Sequence, residues 1–124
     1  MATIHNELGD RERFQEILNE NEGIVIIKFG ADWCAPCKSI SPYVKEMISK
    51  LPSAFTVYDL DVDDNFEIYA YLKSKKMVTG IPVILAYYRG NKSFASNECV
   101  IGAVEGDYNT FFTKCIAESI SYKT

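Results

Sequence analysis

Residues Ile24-Val25-Ile26-Ile27-Lys28-Phe29 form a nearly unbroken β-branched and aromatic run. Branched side chains pack well on a pleated surface, so the run reads as a strand. It does not alternate apolar with polar residues, so both faces of that strand must be covered. A strand of this kind lies inside a sheet with a layer on each side. The chain has 124 residues, enough for one domain, residues 1–124, with a core of its own. The purely apolar stretches, Ile24 to Ile27 among them, are far too short to span a bilayer.

The rest of the sequence supplies the covering layers. Asp10 can cap a helix over about Arg11–Asn21 whose apolar side is Leu8, Phe14, Ile17 and Leu18, and Gly23 ends it. A second helix runs from about Cys34 to Leu51, its apolar positions Ile40, Val44, Ile48 and Leu51 stepping by three or four. Pro42 falls inside that pattern, where a kink is expected. Phe55–Val62 is a strand, and Asn65–Lys76 a helix with Phe66, Tyr69 and Leu72 on one side. Pro82–Tyr88 and Glu98–Ile101 are strands separated by a turn at Arg89-Gly90-Asn91-Lys92. Gly106-Asp107 opens a last helix with Phe111, Phe112, Cys115 and Ile116 facing inward. The order α-β-α-β-α-β-β-α, with room for a short first strand, implies an α/β fold. Alternating strands and helices imply a parallel section, and the closing hairpin an antiparallel edge. The expected architecture is a mixed central sheet flanked by helices.

Charge narrows the function classes. Thirteen basic residues against seventeen acidic ones give a net charge of −4, which excludes a generic basic nucleic-acid binder. The N-terminal Met1-Ala2-Thr3-Ile4-His5 has no apolar signal-peptide stretch, so a cytoplasmic location is expected and no membrane partner. The Asp59-x-Asp61-x-Asp63 spacing mimics a calcium loop, but Asp64 and Ala70 stand where glycine and glutamate are needed.

Four cysteines remain: Cys34, Cys37, Cys99 and Cys115. Cys115 has helical spacing with Phe111 and Phe112 and reads as a small core residue; Cys99 reads as a passive half-buried thiol, with an exposed regulatory one as the alternative. The Cys34-x-x-Cys37 spacing suits half a zinc site, a redox dithiol or two structural thiols. Zinc needs two more ligands, and no second close pair exists. The dithiol reading therefore leads, with no metal or organic cofactor.

The stretch Phe29-Gly30-Ala31-Asp32-Trp33-Cys34-Ala35-Pro36-Cys37-Lys38 joins the central strand to the second helix. With Pro42, Gly80-Ile81-Pro82 and Gly102-Ala103 at matching places, it resembles the thioredoxin family over about residues 8–120. The resemblance implies a thioredoxin-like three-layer sandwich and a thiol–disulfide oxidoreductase that reduces protein disulfides. Cys34, at a helix N-terminus whose partial positive charge favours a thiolate, is then the nucleophile and Cys37 the resolving thiol. Pro36, at the start of the helix, has no N–H to lose and stiffens the loop. Trp33, Ile81, Pro82 and Gly102 are implied as the substrate-binding groove, with Pro82 cis and Ile81 pairing with extended substrate. The implied partners are disulfide-containing proteins and a thioredoxin-reductase-type electron donor, with the chain acting as a monomer. The alternative is a binding module that uses the groove around Trp33 and Ile81 without turnover.

One departure stands out. The family pattern has a buried aspartate six residues before the first cysteine, where this chain has Lys28; its third-strand lysine corresponds to Asp59. A lysine between Ile27 and Phe29 needs a partner, an escape to solvent or a lost proton. A Lys28–Asp59 pair behind Cys37 is the expectation that links it to the chemistry. Three roles stay open for such a pair. Asp59 takes up the Cys37 proton, Lys28 does so as an amine, or Lys28 stabilises the thiolate as a cation.

Overall fold

The structure is a computed structural model that describes residues 1–122; Lys123 and Thr124 lie outside the described residues. The elements in chain order are β1 (Thr3–His5), α1 (Arg11–Glu20), β2 (Ile24–Gly30), α2 (Ala35–Ser49), β3 (Phe55–Asp61), α3 (Phe66–Ser74), β4 (Val83–Tyr88), β5 (Glu98–Ile101) and α4 (Glu105–Ser121). They build one five-stranded sheet in the order β1-β3-β2-β4-β5, so the apolar strand β2 occupies its centre.

Side-chain alternation along β2 splits the core into two layers. Val25, Ile27 and Phe29 pack with Phe14, Ile17 and Leu18 of α1 and with Ile68 and Leu72 of α3. Ile24 and Ile26 pack with Ile40, Val44 and Ile48 of α2 and with Phe111, Phe112 and Cys115 of α4. The helices thus cover both faces, which explains why the strand has no polar side. Lys28 and Gly30 share the parity of Ile24 and Ile26, so both belong to the α2 face.

The sheet has the expected parallel section, β1, β3 and β2, and the expected antiparallel edge, to which β4 and β5 belong. β2 is parallel to β3, but antiparallel to β4. The register gives the reason: β3 ends with Asp61 opposite Gly30, and β4 begins with Val83 opposite Phe29. The chain therefore re-enters the sheet at the end it left. Alternation of element types fixes layers; direction depends on where the connection lets the chain down.

Three local expectations are corrected. Gly23 does not cap α1, which closes at Asn21; an added carbon at Gly23 would strike the Ala54 carbonyl, so glycine permits close strand approach. Leu8 is buried but precedes α1 rather than lying on it. Phe66 is 68% exposed, while Ile68 and Leu72 of α3 are buried, with Tyr69 packed alongside. The apolar stripe of α3 lies off Phe66, because side chains two and six positions on point elsewhere around a helix. Pro42 lies within α2, which continues past it to Ser49 despite the missing N–H.

The long β4–β5 connection is an ordered lobe. Asn91 Nδ2 donates to the Ala95 carbonyl at 3.0 Å and to Asn97 Oδ1 at 2.8 Å. Tyr87 OH donates to the Phe94 carbonyl at 2.7 Å, and the Phe94 ring stacks on Phe14 at 4.6 Å. The residues of this connection therefore extend the core over α1.

Buried proton-bearing groups set an alkaline limit. Burial pushes the Cys115 thiol up to about 12 and the Tyr108 hydroxyl up to about 12, and it raises Tyr87 as well. Each group holds its proton more tightly folded than unfolded. Their contribution to stability is full below about pH 9 and is lost as pH rises from there toward about 12. Thermal melts should show a Tm that falls steeply across that window; a Tm independent of pH between 9 and 12 would contradict this account.

Candidate active site

The loop 31–34 leaves β2 at its C-terminal end and feeds α2. Cys34 is the N-cap of α2 and accepts the backbone N–H of Cys37 on its Sγ at 3.3 Å. A helix start leaves N–H groups unpaired, and here a sulfur takes one of them. Pro36 lies in the first turn, where its missing N–H costs nothing. Cys34 and Cys37 are joined by a disulfide with a Cα–Cα distance of 5.2 Å. Cys34 is buried at 6% exposure and Cys37 is half-buried, lining a cavity on the α2 face.

Trp33 is 68% exposed, so it is not a core residue. Its indole Nε1 donates to Asp63 Oδ2 at 2.9 Å, which holds the ring in place beside the disulfide. Asp63 is a residue that sequence reasoning misses, since the Asp59-x-Asp61-x-Asp63 spacing reads as solvated acids at a strand end and does not point to Trp33. Asp61 Oδ1 accepts the Asp63 N–H at 2.8 Å, and Asn65 Nδ2 donates to the Asp61 carbonyl at 3.0 Å. That turn presents Asp63 to the indole.

The Ile81–Pro82 bond is cis, and Ile81 packs against the same core cluster as Cys34. The Gly102 N–H donates to the Pro82 carbonyl at 3.0 Å, so the proline turn and the end of β5 are tied together. Gly102 has φ +95°, a left-handed conformation that favours glycine. Its carbonyl accepts the Tyr108 hydroxyl at 2.6 Å. Tyr108→Phe should lower stability by about 1 kcal/mol, the net worth of a hydrogen bond, as read by denaturant unfolding; no change would show that Gly102 needs no such anchor.

Lys28 and Asp59 are directly opposed in the β2–β3 register, with Lys28 Nζ 3.0 Å from Asp59 Oδ1. The lysine side chain is 18% exposed, so it ends on its partner rather than running out to bulk solvent. The pair borders a cavity of about 310 Å³ that also touches Cys37, Gly30, Ser41 and Asn6. Asn6 Nδ2 reaches the Asp59 carbonyl at 3.4 Å, a contact from the N-terminal segment with no sequence signal. The other thiols lie elsewhere: Cys115 is buried in the core, and Cys99 is exposed on edge strand β5 rather than half-buried.

The site thus holds a close dithiol at a helix N-terminus, with an aromatic flank and a cis-proline turn. The thioredoxin family model matches residues 6–107. A thioredoxin of Pyropia yezoensis is 31% identical over 99 residues, which cover 80% of this chain and 84% of that protein. A bifunctional thioredoxin reductase/thioredoxin of Mycobacterium leprae is 33% identical over 89 residues, covering 72% of this chain but 18% of that protein. The crystal structure of a Plasmodium falciparum thioredoxin superposes with a TM-score of 0.68 at 24% identity, covering 92% of this chain and 88% of that one, and so shares the fold. Disulfide exchange is the chemistry that a reversible Cys34–Cys37 pair performs, and this chain belongs to the thioredoxin family as a thiol–disulfide oxidoreductase.

Proposed function

We propose that the chain reduces disulfides of other proteins, with Cys34 as attacking thiol and Cys37 as resolving thiol. The observation that carries this assignment is the Cys37 N–H directed at Cys34 Sγ. A hydrogen bond and a helix N-terminus both favour the anionic form of that sulfur. Cys34 thiolate attacks a substrate disulfide, one substrate sulfur leaves as a thiolate, and a mixed disulfide forms. Cys37 then attacks Cys34 Sγ, the second substrate thiolate leaves, and the internal disulfide closes.

In this reading Trp33, Ile81, Pro82 and Gly102 receive extended substrate backbone, as the tie between Pro82 and Gly102 supports. Electrons to reopen the disulfide come from a thioredoxin-reductase-type donor. The matched Mycobacterium protein carries both names in one chain, which supports such a pairing. A reducing compartment such as the cytoplasm suits the chain, because Cys99 and Cys115 are free thiols. The protein acts as a monomer.

The test supplies a thioredoxin reductase with its reduced nicotinamide cofactor and a protein disulfide as terminal acceptor. Sustained cofactor oxidation that needs both this protein and the acceptor is the expected result. Cofactor oxidation no faster than without this protein would contradict the proposal.

A further inference from the structure

Lys28 is the one charged residue in a strand that is otherwise apolar, and the backbone register decides where its charge goes. It lies opposite Asp59 across the β2–β3 ladder, and the ammonium meets the carboxylate at 3.0 Å. Two residues on, and on the same face, is Gly30. A carbon added to Gly30 would have as its nearest neighbours Cys37 Sγ at 3.7 Å, Lys28 Nζ at 3.7 Å and Cys37 Cβ at 3.9 Å. Asp59 is not among those three atoms. The pair therefore brings its ammonium closer than its carboxylate to the space over Gly30 that the Cys37 sulfur shares. Glycine keeps that space open, and it belongs to the cavity of about 310 Å³.

The other charges around this cavity come from each element that borders it. Asp32 precedes α2, Lys38 and Lys45 stand on α2, Asp61 ends β3, and Asp64 lies in the turn after it. Asp32, Lys38, Lys45 and Asp64 are exposed, so water and salt screen them. The Lys28 side chain is 18% exposed and is the cation least screened from the sulfur.

We propose that Lys28, anchored by Asp59, is the charge partner of Cys37 and stabilises the thiolate that resolves the mixed disulfide. The inference rests on the dithiol-exchange reading above. In the resolving step Cys37 first gives its proton to water in the cavity. Its sulfur then attacks Cys34 Sγ; the Cys34–Cys37 bond forms and the Cys34–substrate bond breaks. The substrate sulfur leaves with the electron pair and takes a proton from solvent. Protein dithiol is oxidised by two electrons and substrate disulfide is reduced by two. The ammonium takes up no proton in this scheme; it offsets the negative charge that appears on Cys37.

The test measures Cys37 alone, in a Cys34→Ser background, as the rate of iodoacetamide alkylation against pH with the labelled residue located by mass spectrometry. Adding Lys28→Met should move the midpoint to higher pH. At neutral pH the thiolate fraction falls about tenfold, and the surviving thiolate is about threefold more nucleophilic. The net loss of alkylation rate is then about threefold. Lys28→Arg should keep the original midpoint. Asp59→Asn leaves the ammonium without its counter-charge and should move the midpoint the opposite way, to lower pH. An unchanged midpoint in Lys28→Met would overturn the proposal. So would a shift to higher pH in Asp59→Asn, which would make the carboxylate the group that assists Cys37. A separate titration of the wild-type dithiol in thiol–disulfide buffer keeps the two readings distinct. A missing Cys34–Cys37 transition removes the exchange reading, whereas unmoved midpoints beside a normal transition remove only the role of Lys28.

Discussion

Replacing Cys34 by serine is expected to end turnover, with disulfide reduction falling by roughly a thousandfold or more, as for loss of other covalent nucleophiles. A hydroxyl has no accessible anion at neutral pH, so the N–H that Cys37 directs at position 34 has nothing to stabilise. The Cys37→Ser variant should fail differently. It keeps the attacking thiol and loses the resolving one, so it should accumulate one covalent substrate adduct per chain at Cys34. Mass spectrometry of each variant after mixing with an oxidised protein distinguishes the two failures. The comparison is sharp because burial and electrostatics disagree at this site. Cys34 is 6% exposed and Cys37 is half-buried, so exposure alone would make Cys37 the attacker. The helix terminus and the N–H contact favour Cys34. Attack needs only one open line to one sulfur, whereas thiolate formation is required for any attack at all. A Cys34→Ser variant that traps substrate on Cys37 at the wild-type rate would reverse the assignment.

Phe14→Ala is expected to be the most damaging single truncation on the α1 face. The ring is fully buried, meets Tyr87 edge-on at 5.4 Å and stacks on Phe94 at 4.6 Å. Removing it leaves a cavity at the point where α1, β4 and the β4–β5 lobe meet. Truncations of this kind cost about 3–5 kcal/mol. That is a large share of the roughly 5–15 kcal/mol that holds a domain together. At this chain length the Tm should drop by about 10–20 °C. Calorimetry or a circular-dichroism melt reads it directly. A drop of less than a few degrees would show that the Phe94 lobe closes over the gap, or that it contributes nothing to the core.

The features legible in the sequence are those set by local forces. The central place of β2 was legible because a strand with no polar face has few other places to go. The dithiol loop was legible because Cys34, Pro36 and Cys37 each serve a helix start in a way that their chemistry requires. That Lys28 needs charge compensation was legible in an apolar strand, while Asp59 as its partner came from the family resemblance. The direction of β4 relative to β2 was not legible, since it depends on where α3 returns the chain to the sheet. Phe66 was misplaced because a stripe of apolar letters at helical spacing does not say which side is buried. Asp63 escaped notice because its partner, Trp33, is distant in sequence and meets it only through the turn after β3. Gly30 carried no signal at all, because its role is to be empty between an amine and a thiol on different elements.

Turnover requires that Cys34 and Cys37 interconvert reversibly between dithiol and disulfide, a requirement open to direct measurement. It is tested most directly by equilibrating the protein in graded thiol–disulfide buffers. Trp33 fluorescence follows the transition, and mass spectrometry confirms the bond at each point. One two-electron transition is expected, with a midpoint near the thioredoxin value of about −270 mV. A midpoint near about −180 mV or above would contradict the reductant role. No reversible transition would contradict the account outright and leave the groove beside Trp33 as a binding surface.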